Sequence, residues 1–250
     1  MKKLLSFLIC TALILSIIPT AVFAAEETSG KCGNNLTWSY NTETKTLTIS
    51  GTGGMYNYGS YDAIPWYRYC YNVKYVTIGD KVTSICRNAF FGCEGLTRMT
   101  IPDSVTNIDP WAFSYCKGLT RITISNCVTT ISEYAFYSCA GLMSINIPDS
   151  VTSIGGCAFS NCIGLTSINI PNSVTTIGYS AFHYCIGLTS ITLPDSVKSI
   201  DKGAFSDCTS LKKICYRGSK EEWNKINLED NCIPSDTEII YNATDCDING

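Results

Sequence analysis

The protein has 250 residues, which is enough for one or two ordinary domains. Only 16% of the residues are charged and 45% are apolar, a composition that excludes a disordered chain. The net charge of −3 excludes the basic excess that is typical of nucleic-acid-binding domains, so we expect no nucleic-acid partner. The chain has 15 cysteines and one histidine, and a single histidine leaves little room for histidine-dependent catalysis or a multi-histidine metal site.

The N-terminus has the pattern of a secretory signal peptide. Two lysines precede an apolar run over residues 4–18, and Val22-Phe23-Ala24 matches a small-x-small cleavage site. We expect cleavage after Ala24, so that residues 1–24 are the signal peptide. A membrane anchor is the alternative, but the run is short for a span of about 20 residues. Because no second long apolar stretch follows, we expect no membrane insertion of the mature chain.

The middle of the chain is an internal repeat of 23 residues. Its unit is L-x-x-I-x-I-P-x-S-V-T-x-I-x-x-x-A-F-x-x-C-x-G, and its positions are numbered 1 to 23 below. Six full copies and a partial seventh begin at Val73, Leu96, Leu119, Leu142, Leu165, Leu188 and Leu211. A unit this short cannot bury its apolar face alone, so the sequence predicts a solenoid of stacked copies with one continuous core.

Each unit has a pattern that predicts its local structure. Apolar residues at positions 4 and 6 alternate with polar ones at 3 and 5, which predicts a short strand with one buried face. The proline at position 7 ends the strand, and the strands of successive copies form a parallel ladder with a spacing of about 4.8 Å. Residues suited to a helix N-cap stand at position 14. The Ala-Phe-x-x-Cys segment that follows is predicted to form one helical turn.

The N-terminal flank, residues 25–72, is interpreted as a β cap that covers the open end of the solenoid. Residues 36–40 and 46–50 alternate apolar and polar side chains around a polar turn, which predicts a hairpin. Trp38 and Trp66 are large enough to cover the core.

The C-terminal flank, residues 217–250, is interpreted as a second cap with a tail, so that the solenoid itself spans residues 73–216. Ser219 and Glu222 have the spacing of a capping box and predict a helix that continues to about Ile226. Residues 238–241 are predicted to form a final strand.

The repeat resembles the leucine-rich repeat of the BspA-like bacterial surface proteins over roughly residues 73–216. Residues 31–38, 46–53 and 64–67 resemble the module that precedes such arrays, and residues 216–225 resemble the module that follows them. The resemblance implies a mostly β solenoid of the leucine-rich repeat type. It also implies a secreted or cell-surface protein with a role in adhesion or recognition, toward host proteins, other cells or glycans.

The cysteines fall into two groups. Position 21 is occupied by Cys93, Cys116, Cys139, Cys162, Cys185 and Cys208. We expect these six to form a ladder of free thiols that faces the core, where a thiol behaves as a small apolar group. A metal site is not expected, because parallel side chains on a linear ladder provide no convergent ligands for a metal. The second group breaks the pattern and consists of Cys32, Cys70, Cys86, Cys127, Cys157, Cys215, Cys232 and Cys246. Disulfides within this group are possible, and Cys215 is expected to be exposed at position 5 of the last strand.

The sequence signals no catalytic residue, metal site or cofactor, and the protein is expected not to be an enzyme. His183 stands at the variable position 19 and is interpreted as a surface residue. The acidic and amide residues at position 8 could bind calcium, but turn chemistry after proline explains them. The tail Asp245–Gly250 matches the first half of a calcium loop without the glutamate that would complete it, so it is interpreted as an ordinary tail, with a truncated docking module as the alternative.

The best candidate site is the exposed face of the strand ladder at positions 3 and 5. Its residues are Arg98, Thr100, Arg121, Thr123, Ser144, Asn146, Ser167, Asn169, Ser190, Thr192 and Lys213. Arginines suit carboxylate or sulfate groups and short polar side chains suit sugars or a peptide backbone, so the expected partner is a protein or glycan. The alternatives are a solvated sheet and a structural spacer without a ligand. Aromatic residues at positions 19 and 20 form a second, weaker candidate surface that consists of Phe91, Tyr115, Tyr137 and Tyr184.

Overall fold

The computed structural model describes residues 28–244, which form a succession of short strands and turns that repeats every 23 residues. In chain order the strands are β1 (Ser29–Lys31), β2 (Asn35–Asn41), β3 (Thr46–Gly54), β4 (Tyr75–Ile78), β5 (Val82–Ile85), β6 (Arg98–Thr100), β7 (Asn107–Ile108), β8 (Arg121–Thr123), β9 (Thr130–Ile131), β10 (Ser153–Ile154), β11 (Thr176–Ile177), β12 (Ser190–Leu193), β13 (Ser199–Ile200), β14 (Lys213–Tyr216), β15 (Asn227–Leu228) and β16 (Glu238–Ile240). Two 3-10 helices span Tyr61–Ala63 and Tyr67–Asn72, and the helix α1 spans Lys220–Trp223.

The predicted N-terminal hairpin is present. Strands β2 and β3 pair antiparallel, with β1 on the outer edge of β2. On its other side β3 pairs in parallel with β4, so that Leu47 lies opposite Val76 and Ile49 opposite Ile78. The hairpin therefore supplies a strand in register with the first repeat.

The strand ladder at positions 3 to 6 runs the length of the solenoid. It begins with β4, β6 and β8, and continues as single bridges that join Thr123 to Asn146, Asn146 to Asn169 and Asn169 to Thr192. It ends with β12, β14 and β16, all paired in parallel. Each step along this ladder advances the chain by one repeat.

A second parallel ladder, at positions 12 and 13, was not predicted. It consists of β5 and β7 near the N-terminus and of β9, β10, β11, β13 and β15 beyond them. Most rungs pair the inward isoleucine of one repeat with that of the next, as Ile154 pairs with Ile177. The polar residue at position 12 faces outward, and every strand of this ladder except β5 is two residues long.

The predicted helical turn at Ala-Phe-x-x-Cys is wrong, and with it the N-cap role of position 14. The segment forms two consecutive turns whose backbone is left-handed at positions 16 and 20 in all six repeats, for example at Cys157 (φ 54°) and Asn161 (φ 61°). This alternation points the N–H groups of positions 16, 18 and 20 toward the carbonyls of the next coil. Phe113 N donates to Ala135 O at 2.8 Å in this way. The N–H groups of positions 17, 19 and 21 close the turns within the coil, as Ala112 N does on Asp109 O at 3.3 Å, so bonds within a coil alternate with bonds between coils.

The core is a column of phenylalanines flanked by thiols. Phe90, Phe113, Phe136, Phe159, Phe182 and Phe205 are fully buried, and successive rings stack with centroids 5.2–5.4 Å apart. Apolar burial of this extent supplies most of the stabilisation of the stack.

The six thiols at position 21 are buried and free. Five of them donate a weak hydrogen bond to a phenylalanine carbonyl of the preceding coil, as Cys139 Sγ does to Phe113 O at 3.1 Å. Burial raises the pKa of Cys162 to about 12, and it raises the pKa values of Cys116 and Cys139 well above the ordinary thiol range. These thiols therefore behave as small apolar groups.

The C-terminal cap contains the predicted capping box. Glu222 N donates to Ser219 Oγ at 3.2 Å and Ser219 N donates to the Glu222 carboxylate at 2.7 Å. The helix ends at Trp223, three residues before the predicted Ile226. The Trp223 ring packs edge-on against Tyr216 with centroids 5.1 Å apart. The predicted final strand forms as β16, which pairs with β14.

The predicted exposure of Cys215 is wrong. The residue is only 3% exposed, because its sulfur is disulfide-bonded and not a free thiol that faces solvent. Every other cysteine of residues 28–244 is free, and of these Cys127 alone is exposed. The signal peptide, Cys246 and the tail Asp245–Gly250 lie outside the described residues.

Between residues 28 and 244, no helix has the length and the apolar character needed to cross a membrane.

Candidate functional site

The N-terminal part of the strand face presents two arginines side by side. Arg98 and Arg121 occupy position 3 of neighbouring repeats and are paired in register across β6 and β8. Both side chains are exposed, because position 3 points away from the core. In the described part of the chain, no carboxylate lies within 4.0 Å of either guanidinium. Two like charges on adjacent rungs repel one another, and an anion between them would relieve that repulsion.

A shallow groove of about 470 Å³ surrounds this pair and is named the arginine groove. Its lining includes Tyr75, Asp80, Arg98, Thr100, Arg121 and Thr123. Tyr75 is 56% exposed, which leaves most of its ring free to pack against a ligand. The groove thus combines two cations and one aromatic face with three threonine hydroxyls, the third from Thr77, and with the carboxylate of Asp80.

The middle of the strand face carries only short polar groups. Ser144, Asn146 and Asn169 are exposed, whereas Ser167 and Ser190 are half-buried. These side chains continue the ladder without a charge, so this stretch offers hydrogen bonds to a ligand and no electrostatic attraction.

The C-terminal end of the face is covered by an arginine that the sequence analysis did not select. Arg217 Nη1 donates to Asn172 Oδ1 at 2.7 Å, and Arg217 Nη2 lies 3.4 Å from Asn169 Oδ1. Its Nε also donates to Thr244 O at 3.3 Å, so the segment after the last coil lies close to this face. The signal that could have identified Arg217 is its position, because it replaces the proline of position 7 in the seventh copy.

Because of this covering, the prediction that Thr192 is an exposed site residue is wrong. Thr192 is 7% exposed and does not present its side chain to solvent. The reason is that Arg217 reaches from the seventh coil to the fifth and passes over the sixth, where Thr192 lies. Lys213 remains exposed at the far end of the face.

The single histidine has no catalytic geometry. His183 Nδ1 lies 2.8 Å from Ser206 Oγ and 3.5 Å from Asp207 Oδ2. A relay needs the acid and the nucleophile on opposite ring nitrogens, whereas here both approach the same nitrogen. Within residues 28–244 no group of three or more histidine, cysteine or acidic side chains could hold a metal ion.

The aromatic residues predicted at positions 19 and 20 are only partly contiguous. Phe91, Tyr115 and Tyr137 are in ring contact with one another along the solenoid. Tyr184 is 47% exposed, and its ring lies beside His183 rather than beside that group.

Comparison with known proteins identifies the repeat. The family model of the BspA type leucine rich repeat region, in six copies, matches residues 65–147 and 129–244. A leucine-rich repeat protein of Treponema pallidum has a similar structure, with 26% sequence identity and a TM-score of 0.55; the match covers 84% of this chain and 85% of that one. A leucine-rich repeat protein from Bacteroides ovatus is 22% identical, with a TM-score of 0.49, over 85% of this chain and 71% of that one. No curated protein matches the chain.

The matched region covers well over half of the sequence, and it coincides with the coils described above. The chain therefore belongs to the BspA-type leucine-rich repeat family.

Proposed function

We propose that this BspA-type leucine-rich repeat protein is an exported recognition protein that acts at the cell surface or in the secreted state. It binds host or neighbouring-cell proteins or glycans through the strand face, and it acts by binding rather than by catalysis. Two features support export: the signal-peptide pattern of residues 1–24 and membership of the BspA-type leucine-rich repeat family.

The observation that carries the proposal is the register pairing of Arg98 with Arg121 in the absence of an acidic partner within residues 28–244. A guanidinium presents a planar fork that matches a carboxylate or sulfate with two parallel hydrogen bonds. Two such forks on adjacent rungs, about 4.8 Å apart, fit two anionic groups on one chain or one group held by both. The ligand is therefore expected to be acidic.

The threonines beside the arginines and the covered C-terminal end indicate where the rest of the ligand would bind. The hydroxyls of Thr100 and Thr123 stand on the same rungs as the arginines, two residues along each strand. They can donate to and accept from sugar hydroxyls or a peptide backbone. Because Arg217 covers the C-terminal end, binding is expected over the N-terminal half and the uncharged middle of the face.

The test is a binding screen of residues 25–250 against matrix proteins, mucins and a glycan array. A first variant carries Arg98→Ser and Arg121→Ser. A matched control carries Lys198→Ser and Lys202→Ser, which remove the same charge from exposed positions outside the strand face. We expect binding to acidic ligands that is lost in the arginine variant and kept in the control.

Binding that persists in the arginine variant would move the site away from the strand face. A folded protein that binds nothing on the arrays would contradict the proposal and favour a structural spacer.

A further inference from the structure

We propose that the turn edge of the N-terminal half binds a proline-rich segment in the polyproline II conformation. This surface is separate from the strand face, since it is built from positions 16, 19 and 20 of the repeat and from the N-terminal cap. It does not depend on the arginine groove.

The surface is a continuous chain of aromatic rings, named here the aromatic ribbon. It consists of Tyr61, Tyr67, Phe91, Trp111, Tyr115, Tyr134 and Tyr137. Ring centroids along its axis are 4.8 Å apart for Tyr61 and Phe91, 5.2 Å for Phe91 and Tyr115, and 5.3 Å for Tyr115 and Tyr137. Trp111 stacks on Tyr134 at 3.9 Å beside the end of this line. All seven side chains are at least partly exposed.

The fold does not require these rings. Trp111, Tyr134 and Tyr115 stand at left-handed positions, with φ of 64°, 56° and 59°. The same two positions hold asparagine or glycine in other repeats, as at Asn88 and Gly92, and these residue types adopt that backbone at lower cost. Large aromatic side chains at strained and partly exposed positions point to a use in binding.

The chemistry of the ribbon favours an uncharged, extended peptide. A polyproline II chain makes no internal hydrogen bonds, so its carbonyls need donors. The Tyr115 and Tyr134 hydroxyls already bond to Tyr137 and Cys157, so the donors left for a ligand are the Trp111 indole N–H and the hydroxyls at the cap end and at Tyr137. They lie beside partly exposed aromatic rings against which proline rings can pack. The charged side chains in the lining at the cap end are Arg68 and Glu94, and the Glu94 carboxylate is paired with Lys117 at 2.7 Å.

The spacing also fits. Phe91 and Tyr137 both occupy position 19, two repeats apart, with the small buried Ser114 at the same position between them. Two repeats of the ladder correspond to roughly 10 Å at a spacing of about 4.8 Å per rung, and both rings contact Tyr115 between them. One turn of polyproline II advances about 9.3 Å over three residues, so prolines i and i+3 can pack against these two rings.

A groove of about 510 Å³ opens at the cap end of the ribbon, lined by Tyr67, Tyr71, Phe91 and Tyr115 among others. One end of the peptide can bind in this groove, next to the first contact between a proline and the ribbon. A sugar chain can also stack on aromatic rings, but its hydroxyls need several free carboxylates or amides, and the carboxylate of Glu94 in this groove is already paired.

The experiment is a titration of residues 25–250 with a decaproline peptide, followed by tryptophan fluorescence. Trp38, Trp66 and Trp223 are buried, so a change reports on the partly exposed Trp111. We expect a saturable change with decaproline and none with a glycine-serine peptide of equal length. Tyr115→Ser combined with Tyr137→Ser should weaken binding at least about tenfold.

The matched control combines Tyr56→Ser with Tyr184→Ser, which removes two exposed tyrosines outside the ribbon and should leave the affinity unchanged. Should the ribbon variant fail to fold, Tyr61→Ala at the cap end tests the same surface, since that side chain is 43% exposed. The Arg98→Ser and Arg121→Ser variant should bind decaproline normally, which separates this site from the strand face.

Two results would overturn the proposal. One is a folded protein whose fluorescence does not respond to decaproline, including the case in which cello- or chito-oligosaccharides respond instead. The other is an equal loss of decaproline affinity in the ribbon variant and in the control.

Discussion

The indole Nε1 of Trp66 donates a hydrogen bond to the carbonyl oxygen of Ala89 at 2.7 Å, in the buried end of the solenoid. In later coils the carbonyl at position 17 accepts from the backbone of the coil before it, as Ala112 O accepts from Phe90 N at 2.8 Å. The first coil has no such predecessor, and the tryptophan supplies the missing donor. Its ring also lies 6.4 Å from Phe90 and extends the phenylalanine column.

Trp66→Phe should therefore destabilise the protein by more than its lost ring area explains. The change leaves the Ala89 carbonyl buried without a donor, at a cost of about 1–3 kcal/mol in the free energy of unfolding. Urea unfolding measures this cost. Trp38→Phe serves as the control, because it removes a similar ring from the same cap without uncovering that carbonyl. Equal losses in the two variants would show that the hydrogen bond has no role in capping.

Phe159→Ala should open a cavity in the middle of the column. The ring is fully buried and stacks on Phe136 at 5.4 Å and on Phe182 at 5.3 Å. Truncation of a buried phenylalanine costs about 3–5 kcal/mol, which calorimetry would record as a large drop in melting temperature. An unchanged melting temperature would mean that the column does not form the core.

Gly164→Ala should be destabilising for a different reason. A Cβ at this position would lie 2.5 Å from the carbonyl oxygen of Ala140 in the preceding coil, so the coils would have to separate. Gly59→Ala is the control, because a Cβ there meets no atom within 4 Å. Thermal unfolding should show a loss for the first variant and no loss, or a gain of up to about 1 kcal/mol, for the second. A neutral Gly164→Ala would mean that the coils are less closely stacked.

The buried thiols predict a loss of stability at alkaline pH. Burial raises the pKa of Cys162 to about 12, so the folded state keeps a proton that the unfolded state releases near the ordinary thiol pKa of about 8.5. The stabilisation is complete below the unfolded pKa and is lost as pH rises toward the folded one. Each such thiol should lower the free energy of unfolding by up to about 1.4 kcal/mol per pH unit above 9.

Urea unfolding at pH 8, 9 and 10 measures how steeply the free energy of unfolding falls with pH. Cys162→Ala should reduce that slope by the contribution of one thiol. A slope that Cys162→Ala leaves unchanged would show that this thiol does not titrate with unfolding.

The sequence predicted the elements that have strong periodic signals. The alternation of Ile145 and Ile147 at positions 4 and 6 and the period of Cys162 were enough to predict the strand ladder and the thiol ladder. The capping box of Ser219 followed from a local motif.

Other elements lacked a local signal. The left-handed turns are occupied by residues such as Trp111 and Cys157, which are not typical of that backbone, so the segment had the pattern of a helical turn. Bonds to the next coil determine its conformation instead. The covering of Thr192 by Arg217 depends on a contact with Asn172, which is 45 residues away in sequence, and no local pattern predicts such a contact.

The central claim is that the arginine groove recognises acidic ligands, and the most direct test is a comparison of dissociation constants. The acidic array ligand with the highest affinity is titrated by calorimetry into the protein, into the variant with Arg98→Ser and Arg121→Ser, and into the control with Lys198→Ser and Lys202→Ser. We expect the arginine variant to lose at least about tenfold in affinity, or about 1.4 kcal/mol, while the control stays within about twofold. Equal losses in both variants would show that net charge, and not the paired arginines of the strand face, governs binding, and would contradict the account.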